Sequence, residues 1–253
     1  MLIDTHIHVG QYNEYYFSPA TIHELMEQCK VDYYAVSSTT QCVELYNKVV
    51  EEIECLIALD EDKVLPTMWI TPEGLKGNIA WYLESNIKWR LLKIHPFLNK
   101  NEWNPNKKLI YEVIDIAREL KVPILIHTGE DPSCNSQLFE PIISSESDII
   151  FILAHGRPQQ EAIELSINYA NAYVDSAFMP VADMKAFIDA GLENKLLWGT
   201  DMCIPKYFQP EMDFGIYYKE KLLSLNKVCT TGQFQHITYL NALNVLGIKG
   251  RME

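Results

Sequence analysis

Several absences narrow the field. None of the six cysteines (Cys29, Cys42, Cys55, Cys134, Cys203, Cys229) forms a Cys-x-x-Cys pair, which removes a thiolate zinc finger. Scattered thiols fit a reducing cytosol. Cys29, Cys42 and Cys55 fall in helical stretches, where a buried free thiol is the ordinary expectation. No run of ~18 apolar residues exists, and no basic head followed by an apolar run opens the sequence. A cytoplasmic protein with no membrane partner is therefore expected. Positive charge is scarce: 21 Lys and Arg stand against 34 Asp and Glu, for a net charge of -13. That balance argues against nonspecific nucleic-acid binding, which needs clustered cations. It does not exclude an anionic substrate, because a pocket can be locally positive. No Gly-x-Gly-x-x-Gly follows the first strand candidate, which lowers a dinucleotide-binding reading. No linker, low-complexity tract or charge block divides residues 1–253, so one domain is expected.

What is present is a steady alternation. Short runs rich in Val, Ile, Leu and Tyr occur near 2–7, 33–38, 64–70, 90–95, 122–127, 149–155, 172–176 and 196–200. Helix candidates fill the gaps near 19–30, 41–58, 73–86, 105–120, 136–146, 158–170, 180–191, 210–225 and 233–247. Alternation at this pace predicts an α/β protein with a parallel sheet. Eight strands in 253 residues favour closure into a (β/α)8 TIM barrel, distorted in detail, over an open sheet; such barrels run to ~250 residues. Ser18-Pro19 and Asn104-Pro105 read as helix starts, and Gly191 and Gly247 as helix stops. Pro123 opens a strand, where its missing N–H does little harm.

Histidine placement carries the chemistry. Five of the seven histidines (His6, His8, His95, His127, His155) sit at predicted strand ends, where barrels of this kind keep their active sites. Side chains alternate along a strand, so His6 and His8 share a face. Lys93 and His95 share one face opposite Leu92 and Ile94; His127 goes with Leu125, and Asp201 with Gly199. If those faces point inward, the polar groups converge over the barrel mouth.

The ordered set Asp4-Thr5-His6-Ile7-His8, Lys93-Ile94-His95-Pro96, Ile126-His127-Thr128-Gly129, Ala154-His155-Gly156 and Gly199-Thr200-Asp201 resembles the amidohydrolase superfamily. It looks most like the amidohydrolase-2 branch of aminocarboxymuconate-semialdehyde decarboxylase-like enzymes, which holds decarboxylases as well as hydrolases. Tyr239–Gly247 is similar to that branch's closing helix. The resemblance implies that His6, His8, His127 and Asp201 hold one divalent metal, with His155 beside it. Imidazoles and a carboxylate suit zinc first, with manganese, iron or cobalt also compatible.

A metal-activated water would then attack a small C–N or C–O bond (amide, lactone or ester). In this scheme Asp201 and His155 are the catalytic pair. Asp201 carries the proton, and His155 donates to the developing oxyanion or, in a decarboxylase, to carbon. Lys93, His95 and Arg157 are expected to bind substrate, with the Arg157 fork suited to a carboxylic acid. Nonoxidative decarboxylation of an unsaturated or aromatic acid is the nearest alternative. Two rivals remain: a metal-free hydrolase using Asp201 as base, and a non-catalytic binding barrel.

Two departures bear on these expectations. Many relatives have Gly-Gly after the sixth-strand histidine, where this chain has Gly156-Arg157. A bridging carboxylated Lys93 is conceivable, but Lys-x-His-Pro resembles the mononuclear branch. The expected Glu of phosphoesterase relatives is absent, against a nuclease. The cluster Tyr12, Tyr15, Tyr16, Phe17 is expected either to cover the barrel edge or to form a lid. Asp4 is expected to support the metal ligands by hydrogen bonding. A homodimer is the default assembly.

Overall fold

The computed structural model describes residues 1–40, 46–77, 79–99 and 102–248. Its sheet runs in the order β2-β1-β3-β4-β5-β6-β7-β8-β9. Eight of these strands are parallel and correspond to the eight runs expected from the sequence: β1 (Ile3–Tyr12), β3 (Tyr33–Ser38), β4 (Val64–Trp69), β5 (Leu91–Ile94), β6 (Ile124–His127), β7 (Phe151–Ala154), β8 (Ala172–Asp175) and β9 (Leu196–Leu197). The ninth, β2 (Tyr15–Phe17), folds back antiparallel on β1. The sheet curls until its ends meet. Thr5 N–H donates to Trp198 O (2.9 Å), Asp201 N–H to His6 O (2.8 Å), and Ile7 bridges Met202. The architecture is the (β/α)8 barrel expected from eight strand–helix units.

Two apolar layers hold it. Inside the barrel, Ile3, Ala35, Leu65, Leu91, Leu125, Ile152 and Leu197, one from nearly every strand, form a single cluster. Ala242, Val245 and Leu246 from α12 (Asn241–Val245) close it at the end where the strands begin. Outside, alternate residues such as Ile7, Val36, Met68, Leu92, Ile126 and Val174 pack under the helices. Strands buried on both faces read as continuous apolar runs, which is why all eight were legible. One irregularity matters for the site. The β1–β3 register shifts between Asp4 and Ile7. This bulge changes the parity of β1, so Ile3 and the pair His6 and His8 all face the interior.

Helices depart from the expected spans where local signals misled. α1 (Pro19–Cys29) begins at Ser18, whose hydroxyl accepts from Thr21 N–H (3.1 Å) as anticipated. α5 (Lys108–Leu120) starts three residues after Asn104-Pro105, and its cap, Lys107, has no side-chain cap bond. The Asn104 side chain is spent on an Asn106 turn instead. The 73–86 candidate is met by α3 (Pro72–Gly77) and α4 (Ile79–Glu84), on either side of residue 78, which lies outside the described residues. The 210–225 candidate is α10 (Phe214–Val228), preceded by a short α9 (Ile204–Phe208). Gly191 and Gly247 hold the positive φ (74° and 58°) expected of helix stops. Of the helical cysteines, Cys29 is half-buried and Cys55 exposed, while Cys42 lies outside the described residues. Among the described residues no helix is long and apolar enough to cross a membrane.

Candidate active site

At the carboxyl ends of the strands, a cavity of about 360 Å³ opens over the apolar barrel layer. His8, Lys93, His95, His127, His155, Arg157 and Asp201 all line it, and His6 lies buried at its floor. Every expected site residue is therefore at the mouth. They are not equally close to one another.

His6, His8 and Asp201 form one tight group, whose donor atoms all lie within 4.8 Å of one another, and His6, His155 and Asp175 form a second that shares His6. Asp201 Oδ1 stands 3.3 Å from His6 Nε2 and 2.8 Å from His8 Nε2. His6 Nδ1 lies 2.8 Å from Asp175 Oδ2, so it carries the proton and Nε2 keeps its lone pair. A lone pair and a carboxylate oxygen facing each other need a cation between or beside them. In the structure the Lys93 ammonium meets both imidazoles, 2.8 Å from His6 Nε2 and 3.0 Å from His8 Nε2, with its charge over the Trp69 ring. Lys93 thus lies against His6 and His8 while also lining the cavity.

The chemistry of the donors fits a divalent metal. Asp201 Oδ1 is buried and makes no well-formed hydrogen bond, a costly state unless a cation claims it. Burial alone would raise this carboxyl, but His6, His8 and His155 around it hold it well below the usual range, so it is ionised. Burial, and then the Lys93 charge, lower His8 to about 3. Burial also lowers His155 to about 4 and puts His95 and His127 well below an ordinary imidazole. Neutral imidazoles beside an ionised carboxylate are the form a metal takes up.

His127 stands apart from this tight group. Its ring stacks on His95 at 3.7 Å between centroids, and its Nδ1 meets His155 Nε2 at 3.1 Å. His155 Nδ1 is 3.0 Å from Ala177 O, an acceptor only, so it must carry the proton. Nε2 of His155 then accepts from His127 Nδ1–H, which leaves the His127 Nε2 lone pair uncommitted. In this arrangement His155 orients His127. Donation from His155 to a substrate oxygen would require a second proton, which burial disfavours. Both His155 (φ 68°) and Asp201 (φ 58°) hold a left-handed backbone that ordinary side chains rarely adopt, strain of the kind found at functional sites. Gly156 (φ 56°) beside His155 admits no side chain: a Cβ would lie 2.6 Å from Val174.

Arg157 is half-buried and lines the cavity, its N–H donating to Thr128 Oγ1 at 3.1 Å. Its Nε is buried and makes no hydrogen bond. His95 stacks between Trp69 and His127. The aromatic cluster near the start of the chain divides between the sheet edge and the cavity. β2 covers the edge of β1, while Tyr12 reaches the cavity and packs on Tyr207 of α9.

Asp4 supports the site as expected, accepting from Thr200 Oγ1–H (2.7 Å), Thr200 N–H and His6 N–H. Sequence reasoning missed Asp175. Besides holding His6, it accepts from His155 N–H (3.0 Å) and Ala177 N–H (2.9 Å). The signal was present: Asp175 closes the seventh apolar run just as the histidines close theirs.

A closed parallel barrel with a buried imidazole–carboxylate cation site at its strand ends defines the class: a (β/α)8 barrel with the donor set of a metal-dependent enzyme. The chain belongs to the amidohydrolase family, whose model matches residues 3–248, nearly its full length. Its fold is similar to solved structures at low identity. One is a probable 2-pyrone-4,6-dicarboxylic acid hydrolase from Acinetobacter baumannii with citric acid bound (11% identity, TM-score 0.67, covering 97% of this chain and 99% of that one). Another is 4-oxalomesaconate hydratase from Rhodopseudomonas palustris (16%, 0.68, 98% and 96%). A third is 5-carboxyvanillate decarboxylase from Novosphingobium aromaticivorans, solved with manganese (10%, 0.69, 98% and 96%). No curated protein matches the chain.

Proposed function

We propose that this chain is a metal-dependent hydrolase that cleaves a C–N or C–O bond (amide, lactone or ester) in a small carboxylated substrate. The observation that carries the reading is Asp201: ionised, buried, with Oδ1 unsatisfied and aimed at two imidazole nitrogens on the cavity floor. His6, His8 and Asp201 would hold one divalent metal, and the uncommitted Nε2 of His127 would complete the set. Zinc suits these donors first; manganese, which one structural neighbour contains, iron and cobalt are compatible. Such an ion supplies Lewis acidity, polarising a carbonyl oxygen and bringing the pKa of water toward neutrality.

The chain's own residues do the rest. Asp201 takes the proton from the attacking water and passes it to the leaving group. His155 fixes the His127 tautomer. Arg157 pairs with a substrate carboxylate through its unpartnered Nε–H, and His95 forms the stacked wall beside it. Decarboxylation is the second reading, favoured by the apolar walls of Trp69, Phe178 and Phe208 around the cavity, where a substrate carboxylate would be poorly solvated.

The test is a screen of lactones, amides, esters and carboxylic acids with protein of known metal content, following acid release and CO₂ together. Acid release without CO₂ supports hydrolysis. CO₂ release with a product lighter than the substrate by CO₂ alone supports the second reading. Turnover that survives complete metal removal overturns both in favour of Asp201 acting alone as base. Metal binding with no turnover in any class, unchanged in an Asp201→Asn variant, marks a binding barrel.

A further inference from the structure

Behind the site lies a second buried ammonium. Lys221 comes from α10, a helix whose other buried residues are Phe214, Tyr218 and Leu225. It is only 8% exposed. No carboxylate lies within ion-pair distance of it among the described residues. Its Nζ instead donates to two backbone carbonyls, Ser176 O at 2.7 Å and Gly199 O at 3.2 Å. Burial lowers it to about 8, while Asp4, Asp175 and Asp201 act on it from a distance in the opposite sense.

The two carbonyls sit at informative places. Ser176 directly follows Asp175, the carboxylate that fixes His6. Gly199 stands two residues before Asp201. The same two residues are laced together directly: Gly199 N–H donates to Ser176 Oγ at 3.0 Å, and the Ser176 hydroxyl oxygen lies 3.3 Å from Gly199 O. At Gly199 there is little room to move, since a Cβ there would lie 3.2 Å from the His6 Cβ. One ammonium therefore ties the end of β8, which aims His6, to the end of β9, which delivers Asp201. It also places positive charge within electrostatic reach of the buried carboxyls of Asp4, Asp175 and Asp201.

We infer that Lys221 is a positioning residue for the cation site: by bridging Ser176 O and Gly199 O it sets the distance between the Asp175–His6 pair and Asp201, and so the metal affinity. The inference rests on the metal-dependent reading above. An ordinary amphipathic helix would place an apolar residue at this buried position; a lysine is costly there unless its charge and three donors are used. Outer residues that orient ligands typically change metal affinity 10–100-fold when removed.

The experiment measures Zn²⁺ affinity of the metal-free full chain by competition with a chromophoric chelator, and the visible spectrum of the Co²⁺ form, for wild type, Lys221→Met and Lys221→Arg. Lys221→Met keeps the length of the stem and loses the charge and donors. The expected result is an affinity about tenfold weaker or more and a shifted Co²⁺ spectrum, with most of both restored by Lys221→Arg. A structural role alone would lower the melting temperature while folded Lys221→Met bound Zn²⁺ as tightly as wild type with an unchanged Co²⁺ spectrum; that outcome overturns the inference. Should Lys221→Met not fold, Lys221→Gln, neutral but still a donor, carries the same comparison. Wild type that binds no Zn²⁺ overturns the metal-dependent reading and this inference together. Wild type that binds it, with the variants unaffected, overturns the role of Lys221 alone.

Discussion

The two ends of the same strands do opposite work. Where the strands begin, Ile3, Ala35, Leu65, Leu91, Leu125 and Leu197 fill the barrel with a dry layer closed by α12. Two to five residues further along, the inward positions become His6, His8, Trp69, Lys93, His127, Asp175 and Asp201. Burial is nearly as complete at both ends, yet its effect differs. At the apolar end it stabilises the fold through removal of surface from water. At the mouth it stores unfavourable electrostatics: neutralised imidazoles, an ionised Asp201 with an unsatisfied oxygen, and two buried lysines. A barrel can hold such a mouth because its lower half supplies the stability.

That contrast can be broken by changing one end at a time. Asp201→Asn should cost activity on the order of 10³-fold, as expected when a proton carrier is lost, with thermal stability equal to or above wild type; a large fall in melting temperature with modest loss of kcat would mean the carboxylate is structural. Leu125→Ala, one turn of the pleat below His127, should destabilise the protein by about 2–5 kcal/mol. The variant should still bind metal at full stoichiometry in the folded fraction. Loss of metal without loss of stability there would erase the distinction between the two ends.

Acid should reach the mouth first. Burial, the first cause for both, sets His155 at about 4 and His8 at about 3 in the folded chain, against roughly 6.5 when unfolded. As pH falls below about 6.5 the unfolded chain takes up protons before the folded one, so metal-free protein loses stability from there down toward 4. Denaturation midpoints of the metal-free protein that stay level from pH 7 to 4.5 would contradict this. The smallest effect is expected at Arg157. Arg157→Met should raise KM for a carboxylated substrate roughly 10–100-fold, the worth of one charge-assisted hydrogen bond. Stability and metal content should hold, and a fall in kcat with KM unchanged would show that Arg157 does not grip the substrate.

The legibility of the chain follows the same division. The eight strands were readable because parallel strands buried on both faces leave uninterrupted apolar runs, and the mouth because histidines ended five of them. The inward parity of Lys93, His127 and Asp201 was readable too. What sequence could not supply was distance. His127 was expected with His6, His8 and Asp201 around one ion; the structure brings the other three together and turns His127 toward His95 and His155. A lysine expected at the substrate lines the cavity and lies against two imidazoles as well. Asp175 was missed as a lone carboxylate. Lys221 was hidden because a buried lysine on an amphipathic helix reads as a solvated one. The three residues of β2 are too short to show a period, and the bulge in β1 leaves no mark in composition.

The most direct test is metal content by elemental analysis of protein grown with ample zinc and manganese, for wild type and a His6→Ala/His8→Ala double variant purified alike. The account predicts close to one equivalent of divalent metal per wild-type chain and essentially none in the double variant. Metal retained by that variant, or a wild type that stays empty while the Lys93 ammonium keeps its place between the imidazoles, would contradict it.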